Sequence, residues 1–261
     1  MNSAEQLQDI LQKEHPQKIF LVADGAYEKS GAKGKFAPLF DNYEVVPFLD
    51  IRENPTIEQV KNGIEAFLKS QADLVVAIGG GSVIDTAKAL NLLAAQDGDP
   101  VLYVKKEQEI ANSGKPLVAI PTTAGTGAEA THVAVVYIDR IKYSISHAFL
   151  LPNYAIVDAA LTHSLPPRVT AVTGMDALSQ AIEAYWSINA TDESKEYSKE
   201  AIGLILPNLA IAVGSPTPEA REAMAQGAYL SGKAINIAKE IIPTKAPMPN
   251  NRFICSIFQK T

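Results

Sequence analysis

DLVVAIGGGSVIDTAK, residues 73–88, decides the fold. Asp73 to Ile78 is almost wholly apolar, as in a strand of a parallel sheet covered on both faces. Residues 83–95 then carry helical apolar spacing. Gly79, Gly80 and Gly81 join the two, and three glycines let a backbone turn sharply and approach a ligand closely. The free N–H groups at the helix start favour an anion such as pyrophosphate. Ser82 can cap the helix or donate to a phosphate oxygen. Asp85 and Lys88 lie three apart on one helical face and can pair. The plainer alternative is a structural strand-to-helix turn.

Outward from this stretch, strands are expected at 18–23, 43–48 and 116–121, with helices at 4–14 and 56–69. Alternation of this kind predicts an α/β nucleotide-binding domain with a doubly wound, mostly parallel sheet. Residues 133–138 and 143–146 read as a small antiparallel pair, and 155–157 as a short strand. Pro166 and Pro167 suit the first turn of a helix. Three helices are expected beyond them, at 168–187, 192–213 and 217–238. The divisions are 1–165 for the α/β domain, 166–239 for an incomplete all-α domain and 240–261 for an aberrant tail. Three helices alone would leave apolar surface uncovered.

The formal net charge of −6 gives no general attraction for nucleic acid or anionic lipid. No apolar run approaches the length of a membrane span, and the amphipathic N-terminus does not read as a secretory signal. The single cysteine, Cys255, excludes an internal disulfide and a cysteine-based metal cluster. These features point to a cytoplasmic protein. His15, His132, His147 and His163 show no metal-ligand spacing. No nucleophile elbow and no Walker loop is present.

Two further loops carry polar groups at strand ends. After residues 116–121 comes Thr122-Thr123-Ala124-Gly125-Thr126-Gly127, whose hydroxyls and small residues suit a ribose or a nicotinamide amide. Asp24 ends the first strand. A carboxylate there accepts from ribose hydroxyls and repels a 2′-phosphate, favouring NAD over NADP. An ordinary turn or cap aspartate is the alternative. In the helical half, Asp176 and Gln180 are four apart on one face and can offer two oxygens to a divalent cation. The same spacing also makes a surface hydrogen-bonded pair.

Together, AIGGGSVIDTAKAL (77–90), AIPTTAGTGAEAT (119–131) and LPPRVTAVTGMDALSQAIEAYWS (165–187) resemble the iron-containing (group III) alcohol dehydrogenases. ENPT and GKAINIAK are similar too, and the likeness runs from about residue 16 to 239. It implies a dehydroquinate synthase-like architecture: a nucleotide domain, then an all-helical domain, with catalysis between them. The pyrophosphate loop corresponds to Gly79–Ser82 with Asp85. The second nucleotide loop corresponds to Thr122, Thr123 and Thr126, the cofactor-selecting aspartate to Asp24, and a lysine near the cofactor to Lys142. Asp176 corresponds to the first metal ligand.

The resemblance implies NAD(H) as cofactor, Fe or Zn as metal, and a small alcohol or aldehyde as substrate. It also implies a homodimer. Gln180 stands where most members have histidine, which resembles the branch that includes phosphonoacetaldehyde-reductase-like proteins. The family's two later histidine ligands have no counterpart, because no histidine follows His163. The expectation is a metal-dependent oxidoreductase cut short, with an NAD(H)-binding protein or an inactive fragment as the alternative.

Overall fold

A computed structural model describes residues 3–240 of the chain. In chain order, α1 (Ser3–Glu14) leads to β1 (Lys18–Ala23), and α2 (Ala26–Lys29) and α3 (Ala32–Phe36) lead to β2 (Glu44–Phe48). Next come α4 (Ile57–Ser70), β3 (Leu74–Gly79), α5 (Gly81–Leu93), α6 (Pro100–Val104) and β4 (Leu117–Pro121). β5 (Val133–Ile138), β6 (Ile141–Ser146) and β7 (Tyr154–Ala155) follow. The last three helices are α7 (Pro167–Trp186), α8 (Asp192–Gly214) and α9 (Pro218–Glu240).

Five strands form one sheet in the order β2-β1-β3-β4-β7, with every pairing parallel. Side chains alternate across it, and both faces are apolar. Phe20, Val22, Val75, Ala77 and Ala119 pack with Val60, Phe67, Ile84 and Leu90 of α4 and α5. Ile19, Leu21, Val76, Ile78 and Ile120 pack with Leu7, Leu11 and Phe36 of α1 and α3. Covering both faces is what allows strands with no polar side. The chain runs outward from β1 to β2, then returns to place β3 on the other side of β1. The crevice beyond the carboxyl ends of β1 and β3 is therefore a topological switch point, where ligands of such sheets bind.

β5 and β6 pair antiparallel in their own sheet. Helices α7, α8 and α9 pack on small residues: Ala177, Ala181, Ala201, Ala212, Ala220 and Ala228 are buried among them. Gly174 faces Leu209 and Met224, and Gly227 faces Ile205, in each case too closely for a Cβ. α8 starts on a capping box made by Thr191 and Ser194. Trp186 is 72% exposed and Leu206 63%, so uncovered apolar surface does remain on the helical region among the described residues.

The structure adjusts several boundaries. α5 begins at Gly81 rather than at 83, because Gly80 itself is the N-cap. β7 spans Tyr154–Ala155 rather than 155–157. Helices α2, α3 and α6 have four or five residues each, too short for apolar periodicity to register. The expectation of an aberrant tail at 240–261 falls, apart from Glu240, outside the described residues.

Gly127 has φ +58°, and a Cβ there would lie 2.6 Å from Gly232 Cα in α9. Backbone cannot yield as a side chain does. Gly127→Ala is expected to destabilise the fold by roughly 3 kcal/mol through left-handed strain and overpacking. By contrast, Gly203 in α8 faces open space, so Gly203→Ala is expected to stabilise by about 0.5–1 kcal/mol. Thermal or urea unfolding of the two variants checks both signs.

Candidate functional site

Three segments at the carboxyl ends of neighbouring strands converge. Asp24 follows β1, Gly79–Ser82 joins β3 to α5, and residues 122–127 follow β4. The first and second loops touch. Thr122 N donates to Gly79 O at 3.0 Å. An added Cβ at Gly81 would meet Thr126 Cγ2 at 2.7 Å, and one at Gly80 would meet Thr123 Cγ2 at 3.4 Å. The glycines make room for threonines, so hydroxyls lie beside an uncovered helix start.

No side chain caps α5. Ser82 is the second residue of the helix, not its cap, and its carbonyl accepts from Thr86 Oγ1. The first amides of α5 therefore keep their capacity for an anion, reinforced by the helix dipole. Thr122 Oγ1 is buried with no hydrogen-bond partner among the described residues. A buried hydroxyl without a partner is costly, and a ligand hydroxyl or amide brought beside it would satisfy it. Thr123 is half-buried and Thr126 exposed, its Oγ1 accepting from Ala128 N.

Asp24 is half-buried, and its Oδ1 accepts from Ala26 N at 2.9 Å, fixing the start of α2. The turn role expected as its alternative is thus real, with Gly25 rather than Asp24 as the N-cap of α2, and the bond uses only one carboxylate oxygen. A cavity of about 540 Å³ adjoins Asp24, with Tyr27, Phe40, Val45 and Pro47 among its walls.

Asp85 and Lys88 do not pair directly, contrary to the expectation from their spacing. Each turns to β5 instead. Asp85 Oδ2 accepts from Val135 N at 3.1 Å. Lys88 Nζ donates to Thr131 O at 2.6 Å, Thr131 Oγ1 at 3.1 Å and Val133 O at 3.1 Å. Lys88 is 1% exposed. Burial pushes its ammonium down to about 8, against the opposing pull of Asp85 and Glu129. Burial raises Asp85 to about 6, opposed by Lys88, by the Val135 amide and by Lys142. Lys142 itself is exposed on β6, so its charge reaches the α5 end of the site. Glu129 is buried behind the second loop and raised to about 7, mainly by desolvation.

Asp176 and Gln180 share one face of α7, and Gln180 Nε2 donates to Asp176 Oδ2 at 3.1 Å. The hydrogen-bonded pair weighed as the alternative is the arrangement present. No group of three or more His, Cys, Asp or Glu residues able to hold a metal exists among the described residues. Two oxygens on one helix do not make a catalytic metal site, which needs at least three protein ligands. The described residues thus do not supply the ligands of a resident metal.

Glu129 and Asn236, whose Oδ1 accepts from His132 N, were not singled out by their own sequence context, and Lys88 was read only as a partner for Asp85. Their partners lie 40 or more residues away in the chain, as with the 43 residues between Lys88 and Thr131, and no local pattern encodes that.

The chain matches two family models: iron-containing alcohol dehydrogenase over residues 1–159, and the C-terminal part of the Fe-containing alcohol dehydrogenase family over residues 170–243. It is 40% identical over 198 residues to a long-chain-alcohol dehydrogenase of Geobacillus thermodenitrificans, covering 74% of this chain and 50% of that protein. It is 37% identical over 224 residues to an NAD-dependent methanol dehydrogenase of Bacillus methanolicus, covering 84% and 58%. Among solved structures, sulfoacetaldehyde reductase from Bifidobacterium kashiwanohense in complex with NAD+ superposes with a TM-score of 0.86 at 33% identity, covering 91% of this chain and 64% of that one. The chain spans about half the length of the first of these relatives.

The raised Glu129 predicts a pH effect. Its folded pKa of about 7 exceeds the ordinary 4.5, so the folded state holds the proton more tightly than the unfolded state. Its stabilising contribution is full below about 4.5 and is lost as pH rises through about 7. Relative to the unsubstituted protein, Glu129→Gln is expected to gain roughly 2 kcal/mol between pH 5 and 8. Urea titrations at several pH values measure this, and a constant difference across the range would refute it.

Proposed function

Because this chain belongs to the iron-containing alcohol dehydrogenase family, we propose that it binds NAD(H) across the carboxyl ends of β1, β3 and β4. The observation that carries this is the contact between the two loops, which sets the uncapped start of α5 beside Thr122, Thr123 and Thr126. In this reading residues 1–165 form the nucleotide domain and 166–239 the helical one. The amides of Gly80, Gly81 and Ser82 receive the pyrophosphate. Thr122 and Thr123 receive the nicotinamide half, with Lys142 nearby. The free oxygen of Asp24 receives the adenosine ribose, and its charge disfavours a 2′-phosphate, so NAD(H) is preferred to NADP(H). The cavity beside Asp24 takes the adenine.

The reaction class proposed is hydride exchange with a small alcohol–aldehyde pair. The bound nicotinamide supplies the hydride acceptor or donor. In oxidation the alcohol carbon passes a hydride to the oxidised nicotinamide and its hydroxyl releases a proton to water, leaving an aldehyde and the reduced nicotinamide. Asp176 and Gln180 on α7 offer only two oxygens, short of the three protein ligands a catalytic metal needs. That two-oxygen set favours a second reading, in which the chain binds NAD(H) without turning over an alcohol.

Gly80 has φ −75°, and a Cβ there makes an ordinary 3.4 Å contact. Gly80→Ala is therefore expected to keep the fold while occupying the phosphate cradle. NADH affinity, read by fluorescence titration, is expected to fall about tenfold or more with melting temperature unchanged. Unaltered affinity contradicts the assignment. Asp24→Gly is expected to shift the ratio of NADH to NADPH affinity toward NADPH. A ratio that stays the same removes Asp24 from the site.

A further inference from the structure

Residues 127–133 carry the chain from the second loop into β5, and they are gripped from two sides. On one side is Lys88 of α5, whose three donated hydrogen bonds end on Thr131 and Val133. On the other is α9. Asn236 Oδ1 accepts from His132 N at 2.7 Å. Gly232 lies so close to Gly127 that a Cβ on it would come within 2.6 Å of Gly127 O.

The reason a lysine sits at position 88 follows from the pairing of β5. His132 O accepts from His147 N, on the side of β5 that faces β6. Carbonyls and amides of the odd residues point the other way, to an edge with no neighbouring strand at Val133 and Val135. Val133 O meets Lys88, Val135 N meets Asp85, and Tyr137 N meets Pro55 O. Side chains of α5 thus stand in for a missing strand along that edge. A hydrocarbon at position 88 would leave the carbonyls of Thr131 and Val133 without this donor, at the cost of two unsatisfied acceptors.

We propose that Lys88 and Asn236 are positioning residues for the cofactor. Together they hold residues 127–133, and through them set Thr122, Thr123 and Thr126 against the Gly79–Ser82 loop. Neither side chain needs to touch the ligand. Lys88 belongs to the helix that the first loop begins, and Asn236 to a helix of the other half. The placement of the second loop is therefore shared between the α/β layer and the helical layer. This inference rests on the dinucleotide reading above. It goes further in predicting that a residue of the helical half controls affinity for only one end of the dinucleotide.

The test uses two probes with the full chain, NADH and ADP. ADP engages Asp24 and the first loop, whereas NADH also needs the second loop. Lys88→Met and Asn236→Ala are each expected to weaken NADH about tenfold or more while leaving ADP within about twofold. Asn236→Asp, which keeps an oxygen acceptor for His132 N, is expected to restore NADH affinity. A general loss of structure would lower both affinities together and would not be rescued, so a parallel fall overturns the proposal. Unchanged NADH affinity in Asn236→Ala overturns it as well. If Lys88→Met fails to fold, the half-buried Asn236 pair decides alone. Gly80→Ala separates the two ideas: it weakens ADP and NADH alike if the cofactor reading holds. Failure of the unsubstituted chain to bind either probe overturns that reading and this inference together.

Discussion

Close approach at residues 121–127 is the constraint on which the rest of the structure depends. This loop meets three elements at distances that only glycine or a small side chain permits. Gly81 gives way to Thr126, Gly125 to Thr173 of α7, and Gly127 to Gly232 of α9. Each contact replaces what would be a side chain with backbone or a methyl group. The loop is thereby pinned to the α/β layer and to two helices of the other half at once. Because a packed core does not deform continuously, the strand ends, α5 and the helical layer must all adopt one relative placement. The crevice at the switch point of the sheet inherits its shape from that placement.

Polar groups behind the crevice follow the same logic. Lys88 and Glu129 are buried and Asp85 half-buried, and desolvation shifts all three away from their ordinary pKa values. Buried charge is tolerated where donors and acceptors are matched. Lys88 has three acceptors and Asp85 has an amide donor. Glu129 is relieved instead by holding its proton more tightly. Charge and backbone edge are thus solved together: the helix whose start no side chain caps also finishes the edge of β5.

Much of the fold was legible because its strands are extreme. Residues 18–23 and 73–78 are nearly continuous apolar runs, and only a sheet covered on both faces accounts for them. The glycine-rich turn could be read as a ligand loop from its position between strand and helix. Two candidate residues turned out to serve ordinary local roles as well: Asp24 fixes the start of α2, and Asp176 pairs with Gln180. Spacing alone carried both alternatives for each. What could not be read was anything set by distant partners. Asp85 and Lys88 share a helical face, which suggested an ion pair, but β5 competes for both and offers better hydrogen bonds. Asn236 sits in an unremarkable helical stretch, and only the fold brings it to His132. The short helices after β1 and before β4 are each about one turn long and leave no periodic trace.

The central claim is that one dinucleotide bridges both loops of this chain. Amide hydrogen exchange with and without saturating NADH tests it most directly, since exchange reports protection residue by residue. The account predicts slowed exchange in 79–83 and in 122–128 together, with the outer face of α8 unaffected. Protection confined to one loop, or absent from both at saturating NADH, would contradict it.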